Sequence, residues 1–267
     1  MKISIIIPTY KPQDYIWECL NSLIAQTLFL KDFEVIIVLN GCCEPWKSDI
    51  QSFISTKMQG MNINFIQTNQ GGVSNARNMA LDVAKGEYIT FIDDDDFVSP
   101  SFLEELYAKA SPDTVSLCYA YAFNDGDIST QLDYRITSEF ETRSKYGKQP
   151  YPRTRKIFSG PCMKLFHKSF IQGRRFNSHF KNGEDSLFMF LISDRLKYVE
   201  YTSDKAIYYR RFRENSAVTR KRSTKLIIKN GLNLIKCYTA IYWSAPLKYN
   251  FIFYATRILG TIKGMIN

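Results

Sequence analysis

The run EYITFIDDDDFVSP (Glu87–Pro100) sets a strand-like hydrophobic stretch directly before four consecutive aspartates, Asp93 to Asp96, and a second hydrophobic pair follows them. Neighbouring carboxylates about 6 Å apart repel by roughly 0.7 kcal/mol per pair even in water, and by more beside a low-dielectric core. A folded chain that keeps four of them in a row needs something to compensate them. If the segment is extended, Asp93 and Asp95 point to one side, with Asp94 and Asp96 on the other. A solvated acidic turn, or a helix N-terminus favoured by aspartate, is the plain alternative.

Upstream of this run, short β-branched segments alternate with longer helical patterns, which is the signature of β-α-β units. ISIIIP (Ile3–Pro8) reads as a buried strand, followed by a helix from about Pro12 that carries Ile16, Leu20, Leu23 and Ile24 on one face. FEVIIVLN (Phe33–Asn40) is the second strand, Trp46 to Met58 the second helix, and NINFIQ the third strand. The turn NQGG then opens a helix expected to turn Val73, Ala76, Ala80 and Ala84 to the sheet and to be capped by Gly86. EYITFI is the fourth strand, so the aspartates fall at its C-terminal end, the edge of a parallel sheet where ligands bind. A helix and one further strand, DTVSLCYAYAF, extend the layer.

From Asn124 to Lys156 the pattern weakens, leaving a loop, a hairpin or the wall of an acceptor pocket as open readings. Order returns with KIFSGPCMKLFHKSFI and with NGEDSLFMFLISDRL, where Leu187, Phe188, Leu191 and Ile192 form a helical stripe. Glu184 and Asp185 sit in that helix's first turn, where the helix dipole favours negative charge. Spacing alone leaves capping as acceptable a role for them as catalysis.

The chain of 267 residues is 45% hydrophobic and 15% aromatic, ample for a large core. Its six cysteines are scattered, and MKISIIIPTY leads straight into a strand without a secretory pattern, so a reducing cytoplasm is expected. With only two histidines, His167 and His179, acid–base or metal chemistry falls to carboxylates. The net charge of +9 is uneven: residues 1–204 hold 22 basic and 25 acidic residues, while residues 205–267 hold 13 basic residues against Glu214 alone. The last stretch mixes aromatic and aliphatic residues with spaced Lys and Arg, but has no run of about 18 apolar residues that could span a bilayer. It reads either as amphipathic helices lying on an anionic membrane surface and split near Pro246, or as helices packed on the core with a solvated basic face. No nucleic-acid motif accompanies the basic residues, so nucleic acid is not the expected partner.

Taken in order, PTY, VIIVLNG, NQGGVSNARNMAL, YITFIDDDDFVSP, NGEDSLF and YYRRFRENS resemble a family 2 glycosyltransferase of the GT-A fold over residues 1 to about 220. The resemblance implies an α/β protein with a Rossmann-like mixed sheet and helices on both faces. Its catalytic domain would span 1–222, divided into a nucleotide-binding half (about 1–122) and an acceptor half (about 123–222). The basic helical segment 223–267 lies outside the resemblance.

By the same resemblance, Asp95 and Asp93 hold Mn²⁺ or Mg²⁺, a hard ion suited to carboxylate and diphosphate oxygens alike. Asp93 and Asp94 lie near the nucleotide, and Pro8, Thr9, Tyr10 and Asn40 surround the base. Arg77, Arg210, Arg211 and Arg213 approach the diphosphate, the last three in a segment that folds over it. Asp185 is the base of an inverting transfer, and Glu184 orients it or the acceptor; Lys164 is a weaker candidate for donor or acceptor contact. Asn40 stands where the family usually has aspartate, which loosens the UDP expectation toward GDP or dTDP. The implied function is sugar transfer from a nucleotide donor to a glycan or lipid-linked acceptor in cell-surface polysaccharide synthesis, at the cytoplasmic membrane face. A non-catalytic nucleotide-sugar or glycan-binding protein on the same scaffold is the alternative.

Overall fold

The computed structural model describes residues 1–213 and 223–266. In chain order the first half comprises β1 (Ile3–Thr9), α1 (Tyr15–Ile24), β2 (Phe33–Asn40), α2 (Trp46–Lys57), β3 (Asn62–Thr68), α3 (Val73–Val83), β4 (Tyr88–Phe91), β5 (Phe97–Val98), α4 (Phe102–Lys109), β6 (Thr114–Leu117) and β7 (Tyr119–Asn124). The second half comprises α5 (Arg135–Arg143), β8 (Gln149–Pro150), β9 (Lys164–His167), α6 (Lys168–Ile171), α7 (Glu184–Leu191), β10 (Tyr198–Tyr201), β11 (Ile207–Phe212), α8 (Thr224–Ser244) and α9 (Phe251–Ile266).

The main sheet runs β3-β2-β1-β4-β9-β6-β10-β8, and a small sheet runs β5-β11-β7. β3, β2, β1 and β4 are mutually parallel, and β9 is inserted antiparallel between β4 and β6. Every residue of β1 and β2 is buried, as expected for parallel strands covered by helices on both faces. From β1 the chain winds outward through β2 and β3 and then returns to β4 on the other side. The crevice at the carboxyl ends of β1 and β4 is therefore a topological switch point, where open α/β sheets bind ligands.

Two local expectations are corrected. DTVSLCYAYAF is not one strand: it breaks at Cys118, whose amide donates to Met163 O (3.1 Å), and it feeds β6 to the large sheet and β7 to the small one. Gly86 does not cap α3, which ends at Val83 with Ala84 extended. Its role is steric, because a Cβ there would lie 2.4 Å from the Ser4 amide nitrogen. YYRRF, from the segment expected to fold over the nucleotide, forms the central strand of the small sheet. Residues 214–216 of the YYRRFRENS segment lie outside the described residues.

The weakly patterned middle contains α5 and a 3₁₀ stretch, Tyr151–Ile157. The C-terminal helices pack on the core. α7 buries Met189 and Phe190 as well as the expected Leu187 and Phe188, because Tyr238, Tyr249 and Phe253 close around Phe190 with ring centroids 5.3–5.5 Å away. A helix apolar all round needs such a second cover, which α8 and α9 supply.

Candidate active site

The four aspartates form a turn rather than an extended segment. The Asp96 amide donates to Asp93 O (3.1 Å), and carboxylate oxygens of Asp93, Asp95 and Asp96 gather within 4.8 Å of one another. The two-and-two alternation expected from an extended chain is thus corrected: the turn brings Asp96 to the Asp93 side and sends Asp94 away to accept from the Thr9 hydroxyl at the end of β1. The members differ in access. Asp96 is fully buried, accepting from Tyr208 Oη (2.7 Å) and the Arg211 amide (2.8 Å), whereas Asp93 and Asp95 keep 24% and 12% of their side-chain surface exposed.

Three guanidiniums meet these carboxylates. Arg210 spans Asp93 (2.7 Å) and Asp96 (2.9 Å), and Arg213 binds Asp95 (2.6 Å) while stacking over Tyr15. Arg77, with only 3% of its side chain exposed, bridges Asp93 (2.9 Å) to Asp185 (2.6 Å) and rests on the Phe176 ring. Arg211 does not join them. As the neighbour of Arg210 on β11 it points to the opposite face, where its guanidinium binds Glu18 and Asp125 and its Nε donates to the Asp95 carbonyl. Its expected approach to the diphosphate is replaced by a structural tie behind the turn.

Among the described residues, six carboxylates (Asp93 to Asp96, Glu184 and Asp185) therefore gather beside three guanidiniums. Burial pushes Asp94 and Asp96 up to about 7 and Glu184 up to about 7, and it raises Asp185 despite Arg77. At Asp93 burial works in the same direction, but Arg77 and Arg210 outweigh it and hold the carboxyl below its usual range. Among the described residues, carboxylates outnumber cations at the site. An all-oxygen donor set with two partly exposed members fits a hard divalent cation, with Asp93 and Asp95 placed to hold it and Asp96 supporting the turn from behind.

Asp185, Asp93 and Arg210 line a pocket of about 180 Å³ together with Tyr134 and the segment Ser159–Met163. Lys164 does not reach into it. Its buried ammonium donates to the carbonyls of Gly160 (2.9 Å) and Cys162 (3.0 Å), pinning that wall, and burial lowers it to about 8. Gly183 caps α7 in a left-handed conformation (φ 82°), and a Cβ there would lie 2.6 Å from Leu234 of α8. The C-terminal helix thus braces the start of the helix that carries Glu184 and Asp185. Glu184 Oε2 is buried with no partner among the described residues.

At the β1 end, Pro8 and Thr9 are buried within the strand, and only Tyr10, 54% exposed, presents its side chain to solvent. Asn40 is buried too. Its amide donates to Thr9 O (2.7 Å) and its oxygen accepts from the Gly72 amide (2.8 Å), so it ties β1 to the start of α3. Sequence reasoning missed Tyr134, Tyr208 and the Ser159–Met163 wall. The Gly160-Pro161 pair was a legible turn signal; Tyr208 had none.

Breaking the Arg77 bridge has a predictable cost. Arg77→Met leaves Asp185 without its cation and Asp93 with Arg210 alone in a largely buried setting, and is expected to destabilise the fold by about 3–5 kcal/mol. Urea denaturation measures it, and a loss within about 0.5 kcal/mol of zero, the usual range for neutral surface changes, contradicts the bridging role. Arg77→Lys restores stability only in part, because one ammonium does not reproduce the fork that spans two carboxylates.

Residues 4–174 match the profile of Glycosyl transferase family 2. Poly(ribitol-phosphate) beta-glucosyltransferase of Bacillus spizizenii is 28% identical over 213 residues, covering 78% of this chain and 32% of that protein. GalNAc(5)-diNAcBac-PP-undecaprenol beta-1,3-glucosyltransferase of Campylobacter jejuni is 28% identical over 221 residues, covering 80% of this chain and 66% of that protein. The chain thus spans about a third of the first relative's length and about two thirds of the second's. The crystal structure of S. aureus TarS 1-349 in complex with UDP-GlcNAc aligns with a TM-score of 0.70 at 26% identity, over 89% of this chain and 66% of that one. Mannosyltransferase PcManGT from Pyrobaculum calidifontis, in complex with GDP-Man and Mn²⁺, shares the fold at 16% identity (TM-score 0.64, 99% of this chain and 69% of that one). The mixed sheet and its flanking helices are the expected GT-A architecture, and with more than half its length matched, the chain belongs to glycosyl transferase family 2.

Proposed function

We propose that the protein is a metal-dependent inverting glycosyltransferase that moves a sugar from a nucleotide diphosphate donor, a UDP-sugar first among them, to a phosphate-bearing glycan or lipid-linked acceptor of the cell surface. The observation that carries this reading is the single guanidinium of Arg77 holding Asp185 and Asp93 together beside the same pocket. It sets a proton acceptor next to a carboxylate cluster suited to a divalent cation. Mg²⁺ or Mn²⁺ held by Asp93 and Asp95 would neutralise the donor's diphosphate as it departs. Asp185 takes the proton of the attacking acceptor hydroxyl, and Glu184, with its unpartnered oxygen, orients that hydroxyl. Exposed Tyr10 offers a face to the nucleotide base, while Arg210 and Arg213 are placed to exchange their carboxylate partners for phosphate oxygens. The acceptor class follows the names of two relatives, for poly(ribitol-phosphate) and for an undecaprenol diphosphate-linked glycan.

A thermal-shift screen of UDP-, GDP- and dTDP-sugars with and without Mn²⁺ tests the donor side. A selective, Mn²⁺-dependent rise supports it, and a flat response to all donors sinks it.

The same reading places the protein on the inner membrane face. No described helix is long and apolar enough to cross a bilayer. The α8–α9 corner exposes Trp243 (67%), Leu247 (101%), Phe251 (61%) and Ile252 (56%), and residues 223–267 contain six basic and no acidic residues. Such a surface suits anionic headgroups. Co-flotation with phosphatidylglycerol vesicles is expected and is lost in a Trp243→Ser, Phe251→Ser double variant; equal flotation of the variant refutes the assignment.

A further inference from the structure

Beside the catalytic pocket lies a second cavity, of about 400 Å³, whose lining among the described residues includes Arg135, Arg155, Lys156 and Arg257 and no acidic residue. The two cavities draw on the same three segments. The catalytic pocket touches Tyr134 and Ile136, Ser159, and Asp185; the second touches Arg135, Arg155 and Lys156, and Ser186. Adjacent residues thus serve adjacent spaces, and α9 closes the second one with Arg257.

The positive charge there is poorly compensated. Among the described residues no carboxylate lies within 4 Å of Arg135, Arg155 or Arg257; Lys156 pairs with Glu139 (2.6 Å), which Arg143 also engages (2.9 Å). Arg257 donates to the Phe158 carbonyl, and its Nε is buried without a partner among the described residues. Burial, joined by the nearby Arg135 charge, lowers its guanidinium to about 10. Guanidiniums in this state call for an anion, and their planar fork matches phosphate oxygens.

We propose that this cavity binds a phosphate group of the acceptor, as a diphosphate or phosphodiester, while the acceptor's hydroxyl enters the adjoining pocket beside Asp185. This rests on the acceptor class proposed above. The two phosphate-bearing substrates are then separated by the sign of their sites. The donor's diphosphate meets a carboxylate cluster and requires a cation, whereas the acceptor's phosphate meets arginines and requires none.

The test is calorimetry in EDTA with three probes: inorganic pyrophosphate, a short-chain prenyl diphosphate and an oligo(glycerol phosphate). One organic probe is expected to bind more tightly than pyrophosphate, and the tighter one identifies the source of the phosphate. An Arg135→Gln, Arg155→Gln double variant, at exposed and half-exposed positions, weakens that binding by roughly tenfold per arginine. The same variant keeps the Mn²⁺-dependent donor shift. Arg257→Lys, which preserves charge at the buried position, retains more binding than Arg257→Gln. Absence of binding by every probe, pyrophosphate binding as tightly as either organic probe, unchanged affinity in the double variant, or displacement by donor plus Mn²⁺ each overturns the assignment. Loss of the donor shift in wild type, with anion binding still sensitive to Arg135 and Arg155, instead defeats the donor-site reading and leaves this cavity's anion binding supported.

Discussion

Asp185→Asn is expected to lower glycosyl transfer by about 10²–10⁴-fold, the range for loss of a positioned general base, while leaving donor-induced stabilisation in place. The separation follows from the geometry. An asparagine oxygen still accepts from Arg77, as the Asp185 carboxylate does now at 2.6 Å, so the bridge to Asp93 survives, but the amide cannot take a proton. Single-turnover transfer and thermal shift on the same preparation measure the two halves. Transfer at the wild-type rate removes Asp185 from the mechanism. Burial already raises the Asp185 carboxyl, and burial together with Asp185 pushes its neighbour Glu184 up to about 7. Since the ionised form is the one that accepts a proton, wild-type transfer should fall on acidification at a pH above the ordinary carboxylate range.

Asp95→Ala is expected to abolish the response to Mn²⁺ and to reduce transfer by about 10³-fold, corresponding to several kcal/mol of lost charge stabilisation. Asp95 is partly exposed and, among the described residues, its carboxylate pairs with Arg213, so its removal leaves the turn's Asp96–Asp93 backbone bond in place. Asp96→Asn is the contrasting case. Its buried carboxylate receives Tyr208, Arg210 and the Arg211 amide, so that change lowers the melting temperature first. Metal titration into chelator-treated protein, with transfer and melting read together, distinguishes the two variants. Undiminished transfer in chelator refutes the metal role, and an Asp95→Ala protein that still responds to Mn²⁺ refutes this ligand assignment.

Much of the first 122 residues was legible because its physics is local. The unbroken burial of β1 and β2, the Ala76 and Ala80 face of α3, and the placement of Asp93 to Asp96 after a strand all follow from hydrophobic periodicity and chain order. The errors lie where distant segments compete. Cys118 breaks an apparently continuous strand because Met163, far along the chain, takes its amide, and Gly86 packs on Ser4 rather than capping a helix. The Arg210 and Arg211 pair looked like one basic cluster, yet a strand sends neighbours to opposite faces, and of the two guanidiniums only that of Arg210 pairs with Asp93 and Asp96.

By itself the sequence determined the fold class, the edge of the sheet that carries the site, and the types of group gathered there, because strand and helix periodicity and the order of motifs are properties of the chain. Only the tertiary structure decided which groups touch. The turn at Asp93–Asp96 replaces the expected alternation, Arg77 links residues 93 and 185, and α8 and α9 close over α7 while lending Arg257 to a cavity that no linear motif announces. Charge compensation is the physical reason: it acts through space over a few ångströms, between side chains whose separation along the sequence carries no information about their distance in the fold.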